Sequence, residues 1–405
     1  MREAVLLTFC DPPPETCLRL QSLSPKEWKC LLHWLDVSGL ALYFFDRVAE
    51  LQQGDKLPRN VLARLQQNLR ENTERTQSMI AESVAIQQEF QKACLSYATL
   101  KGFSLSPASV PKPELRHQFD LDFLLAEKSI LDARKILERR GYRLYAISGR
   151  SWEFKKNETP GVSIKDLYKD LPGRSVELHV EEELPDRTSL LDRLDSLEFY
   201  GISMPVLSPV DLLLGQGMHA FKHIHSEFSR TAHLLEFRRH VLFRREDTTF
   251  WAELRSRAKE DPRVCVGLGV VTLLITQVMD DFAPEALTHW TVGSLPQSVH
   301  HWIKLYGHRV AFGSFPGSKL YLLLQAELET SGVRPKRSLR EALLPRRLPP
   351  LLIRATADES LKTRIRRYLA QLHFLILRLR FHVVEGLRYT VESYRWRRHM
   401  DRQIR

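Results

Sequence analysis

His117-Gln118-Phe119-Asp120-Leu121-Asp122-Phe123-Leu124-Leu125 alternates and then turns fully apolar, a pattern that suits a central strand of a sheet. Strand geometry sends Asp120 and Asp122 to one face and Leu121 to the other. Two carboxylates this close repel each other unless a cation lies between them, and the spacing suits Mg²⁺ or Mn²⁺. A third carboxylate stands in Ser175-Val176-Glu177-Leu178-His179-Val180. There Val176, Leu178 and Val180 take the buried face while Glu177 and His179 take the other. If this strand neighbours the first, Glu177 joins the aspartates.

Three carboxylates can hold two metals, one binding a triphosphate and the other activating a hydroxyl for in-line displacement. Lys101-Gly102 would add a glycine that lets backbone N–H groups approach a phosphate, with a positive charge beside it. Arg116, just ahead of the aspartates, would neutralise phosphate charge. Asp-x-Asp and Lys-Gly also arise in solvated strand edges and ordinary turns, so the residues alone leave both readings open.

Outward from this stretch, residues from about Ser24 to Tyr97 read as helices. Ser24 is a good N-cap followed by Pro25. Gly54 and Pro58 mark a turn before a long helix with one sparse apolar stripe. Ser129 to Arg140 is an amphipathic helix closed by Gly141. Tyr142–Ile147, Trp152–Lys156 and Ser175–Val180 are strand candidates, and helices are expected from Leu190 to the end. The order is helices, a mixed α/β core, then helices, which is an α+β protein. The expected divisions are 1–97, helical; 98–205, the α/β core; 206–333, helices packed on the core; and 334–405, a basic amphipathic region.

The 405 residues carry a formal charge of +11, with 43% apolar and 27% charged residues, as suits a chain with a substantial core. The charge is unevenly placed. Residues 334–405 hold 19 Lys/Arg against 6 Asp/Glu, while the preceding 333 carry a net −2. Isoelectric point alone therefore does not argue for nucleic-acid binding. Five scattered cysteines, Cys10, Cys17, Cys30, Cys94 and Cys265, speak against a disulfide framework and for a reducing cytoplasm. No apolar run reaches transmembrane length; Val264–Val278 is too short and lies in a helical pattern. The opening MREAVLLTFCDPPPE lacks a cleavage site and reads as mature chain.

Several segments resemble the uncharacterised bacterial nucleotidyltransferase family: Leu100-Lys101-Gly102; Arg116 with Asp120 to Leu125; Gly141-Tyr142; Val176-Glu177-Leu178-His179; and Leu207 to Leu213 followed by His219 and His223. The similarity runs roughly from Ser24 to Trp290. It implies a small mixed-sheet nucleotidyltransferase core of the DNA-polymerase-β type, flanked by N-terminal and C-terminal helical regions. It also implies Asp120 and Asp122 as metal ligands, with Glu177 at the third carboxylate position and Lys101, Gly102, Ser104 and Arg116 meeting nucleotide. Two departures stand out. A Gly-Ser pair is usual in the phosphate turn, and here Phe103 separates Gly102 from Ser104. An Asp usually follows the His pair, and Glu236 stands in the similar place.

His219 and His223 lie at i, i+4 on one helix face. No Glu follows the first His as in H-E-x-x-H, and no third ligand is evident. A structural or substrate-facing role is expected for them, with Lys222 or Arg230 meeting phosphate. From Thr363 to Arg398, Leu369, Leu372, Ile376, Leu379 and Val383 recur at near-heptad spacing among many arginines. That helix could dock on the domain, meet anionic lipid or nucleic acid, or bind a partner, and Trp396 could stack a base. The expected activity is transfer of a nucleoside monophosphate from an NTP to a hydroxyl of unidentified nature. The alternatives are a non-catalytic scaffold that keeps the fold, or a toxin–antitoxin-type enzyme modifying RNA or protein.

Overall fold

In the computed structural model, which describes residues 1–157, 164–181, 188–329, 333, 338–344 and 360–404, the acidic stretch becomes β2 (Asp120–Leu125) at the middle of a seven-stranded sheet. The other strands are β1 (Tyr97–Leu100), β3 (Arg143–Ser148), β4 (Ser151–Lys156), β5 (Arg174–Val180), β6 (Leu194–Phe199) and β7 (Ile202–Leu207). Their order across the sheet is β3-β4-β5-β2-β1-β7-β6. The sheet is mixed. β2 runs parallel to β5 and antiparallel to β1, and β1 runs parallel to β7. β2 starts three residues later than the alternation suggests, because Asn72 donates to the carbonyls of Glu114 and Arg116 and ties the incoming chain to a helix.

That helix is α4 (Arg59–Lys92), which follows α1 (Arg2–Leu7), α2 (Pro25–Ser38) and α3 (Ala41–Glu50). Ser24 caps α2 in a reciprocal box with Glu27, donating its N–H to the carboxylate at 2.9 Å. One face of the sheet is covered by α4 and by α5 (Ile130–Arg139). Met79, Ile80 and Phe90 of α4 and Ile136 and Leu137 of α5 join Phe123, Phe154, Val176 and Leu178 in one core. Gly141, at φ +87°, ends α5 in a left-handed conformation that favours glycine.

The expectation of helices from Leu190 onward is corrected here. Leu190–Asp192 form one short 3-10 turn, Leu194 to Leu207 form the hairpin β6–β7, and α-helices resume only at α6 (Pro209–Ile224). Leu194 and Leu197 are spaced as in a helix, yet Tyr200 and Gly201 both take positive φ, 46° and 85°. Two such residues reverse a chain tightly, as in hairpin turns.

The remaining helices are α7 (Thr231–Phe243), α8 (Thr248–Ala258), α9 (Pro262–Val278), α10 (Glu285–Thr288), α11 (Gln297–Ala311), α12 (Tyr321–Glu329), α13 (Leu339–Leu343) and α14 (Leu361–Ile404). Buried residues of α2 and α3, such as Leu35 and Phe44, share one hydrophobic cluster with Phe237, Leu274 and Trp302 from later helices. The expected division between 333 and 334 falls against 334–337, outside the described residues. α14 docks through Phe381, Glu385 and Trp396, all buried. Ser318 donates to Glu385 at 2.9 Å, and Trp396 donates its indole N–H to Glu327 at 2.9 Å. Trp396 is therefore not placed to stack a base. The near-heptad residues Leu369, Leu372, Ile376, Leu379 and Val383 are exposed, so the docked face is not the one their spacing suggests. All five cysteines are free thiols. Among the described residues no helix is long and apolar enough to cross a membrane.

Candidate active site

The parallel pairing of β2 with β5 sets Asp122 opposite Glu177 and Leu124 opposite His179. Alternation then presents Asp120, Asp122, Glu177 and His179 on the sheet face away from α4 and α5. Asp122, Glu177 and His179 each offer a ligand atom within 4.8 Å of the others. His179 Nε2 lies 2.8 Å from Asp122 Oδ1 and 3.3 Å from Glu177 Oε2. From the turn after β1, Lys101 Nζ donates to the same Asp122 oxygen at 2.8 Å.

This crowding of charge sets the protonation states. Burial opposes ionisation of Asp122, but His179 and Lys101 together hold it below the usual carboxylate range. Glu177 is also lowered, chiefly by its bond to His179. Burial would lower His179, yet Asp122 and Glu177 outweigh it and push the imidazole up to about 9. Burial and the neighbouring Asp122 push Asp120 up to about 6, outweighing the opposite pull of Lys101 and Arg116. Two cations thus already stand among three carboxylates, which is the charge balance a divalent cation would otherwise supply. The donor set, two or three carboxylate oxygens with an imidazole beside them, fits Mn²⁺ through both ligand types and Mg²⁺ through oxygens alone.

Of the other expected nucleotide contacts, Gly102 follows Lys101 in the turn after β1. Gly102 sits at φ +42°, and a Cβ there would lie 2.6 Å from Gln118 Oε1, so the turn needs glycine. Ser104 is buried and donates to the Lys101 carbonyl at 2.8 Å, bracing the turn. The Nε of half-buried Arg116 donates to buried Glu236 Oε1 at 3.1 Å, and Tyr43 donates to the same oxygen at 2.9 Å. Arg230 is likewise half-buried and bonds His117.

On α6, Lys222 lies on the exposed side, while His219 and His223 meet His233 of α7, with one ring nitrogen of each within 4.8 Å of the others. His233 and His179 are the residues that sequence reasoning left out of the site. His179 carried a signal, since it shares a strand face with Glu177. His233 carried none, because its partners are ten and fourteen residues away on another helix.

A mixed sheet flanked by helices, with paired aspartates on one strand and a glutamate opposite on its parallel neighbour, belongs to the nucleotidyltransferase class. The chain belongs to the uncharacterised nucleotidyltransferase family, whose model matches residues 24–265. Among solved structures it is similar to an antigenic nucleotidyltransferase-like protein from Paracoccidioides brasiliensis, at 14% identity and a TM-score of 0.31. That likeness covers 53% of this chain and 97% of the other. No curated protein matches the chain.

Proposed function

We propose that this protein is a metal-dependent nucleotidyltransferase that moves a nucleoside monophosphate from an NTP to a hydroxyl acceptor. The observation that carries the reading is the β2–β5 register, which sets Glu177 opposite Asp122 on the face that also bears Asp120. Asp120, Asp122 and Glu177 would hold Mg²⁺ or Mn²⁺, with His179 as an adjoining ligand for Mn²⁺. The bound cation would supply charge stabilisation for the triphosphate and lower the pKa of the attacking hydroxyl. Gly102 would let the backbone of its turn approach phosphate. Lys101, which donates to Asp122 at 2.8 Å, would bring a positive charge to the phosphates.

Equilibrium binding of NTP with and without Mn²⁺ tests this. The wild type should bind NTP at least tenfold more tightly with Mn²⁺. Asp120→Asn and Asp122→Asn should each abolish that gain while the fold is retained. If the wild type shows no Mn²⁺-dependent binding, or both variants match it, the enzyme reading fails and the non-catalytic reading takes its place.

A further inference from the structure

We propose that His219, His223 and His233 form a zinc site with three imidazole ligands and a fourth position open to water or an anion. The site shares no ligand with the carboxylate centre and does not rest on its reading. Each ring offers a nitrogen within 4.8 Å of the other two. The ring centroids form a near-equilateral triangle, with separations of 4.7, 4.7 and 4.9 Å. Tetrahedral Zn²⁺ with bonds of about 2.0–2.1 Å needs nitrogens roughly 3.4 Å apart. Small side-chain rotations close that difference.

One of the rings has the outer partner that metal-bound histidines usually show. Glu236, three residues beyond His233 on α7, holds a carboxylate oxygen 3.6 Å from His233 Nδ1, which leaves Nε2 for a metal. Glu236 is itself fixed by Tyr43 and Arg116, so the outer shell is rigid.

A set of nitrogen donors alone suits zinc and not magnesium. The bland alternative is a packed histidine cluster, but mutual packing alone does not explain the carboxylate beside His233 Nδ1. His219 and His223 remain partly exposed, which gives solvent access to the open position.

The test uses the full chain, stripped with chelator, loaded with Zn²⁺ and desalted, with retained metal counted by mass spectrometry. The wild type should keep one equivalent of zinc, and Zn²⁺ should raise its unfolding temperature. His219→Ala is the main variant; it should lose at least nine-tenths of the zinc and the thermal shift while keeping the wild-type circular dichroism. His223→Ala should do the same. Asp122→Asn, which disables the carboxylate site, should retain the full equivalent. Cobalt substituted for zinc should give the visible bands of tetrahedral Co²⁺ in the wild type and not in His219→Ala. No retained zinc in the wild type, or equal zinc in the histidine variants, overturns the proposal. So does loss of the zinc in Asp122→Asn.

Discussion

Glu236 is buried and Arg116 half-buried, and the pair couples the residue just ahead of the acidic strand to α7. Burial would raise the Glu236 carboxyl, but Arg116 first, with His233 and Tyr43, holds it well below its ordinary value of 4.5. A carboxylate whose pKa is lowered by folding adds stability that is present above the unfolded value and lost as pH falls through the folded one. Removing one member of such a pair strands a buried charge, at a cost of about 3–5 kcal/mol. Arg116→Met should therefore lower unfolding stability by that order at pH 7, measured by urea denaturation. The gap from wild type should narrow as pH falls below 4.5, where protonation relieves the stranded Glu236. A gap of under 1 kcal/mol at pH 7 would contradict this account of Arg116.

Between elements, close approach is set by a few glycines whose surroundings differ sharply. In α9, a Cβ on Gly269 would lie 2.8 Å from the carbonyl oxygen of Thr291, a backbone atom that cannot rotate away. In α6, a Cβ on Gly215 would meet nothing within 4 Å. Alanine gains about 1 kcal/mol of helix propensity over glycine at either position. At Gly215 that gain stands alone, so Gly215→Ala should stabilise. At Gly269 overpacking of about 1–3 kcal/mol exceeds it, so Gly269→Ala should destabilise. Thermal denaturation of the two variants reads the opposite signs directly; equal signs would show that the α9 contact relaxes.

Across the whole molecule, α14 returns to the helical core along one line of residues. Phe381, Glu385 and Trp396 are buried, Tyr306 donates to Glu392 at 3.1 Å, and Arg378 pairs with Glu227 at 2.8 Å. Trp396→Ala should cost about 3–5 kcal/mol, as other large-to-small core changes do. Leu379→Ala, on the exposed stripe, should change stability by no more than about 0.5 kcal/mol. Chemical denaturation of both variants checks this. A large loss at Leu379 would place the near-heptad stripe, and not the Trp396 line, against the core.

The acidic strand pair was legible from sequence because strand alternation is a local rule. Asp120, Asp122, Glu177 and His179 had to share faces with one another once their segments were extended, and the apolar residues between them had to be buried. The capped start of α2, the long α4 and the α5–Gly141 stop were legible for the same reason, since caps and periodicity act within a turn or two. What tertiary structure decided were the pairings between distant segments. It placed β5 beside β2, brought His233 to His219 and His223, and paired Arg116 with Glu236. It also chose which stripe of α14 is covered. Such outcomes depend on which surfaces meet, and an arginine or a histidine obeys the same local rules whichever partner packing supplies.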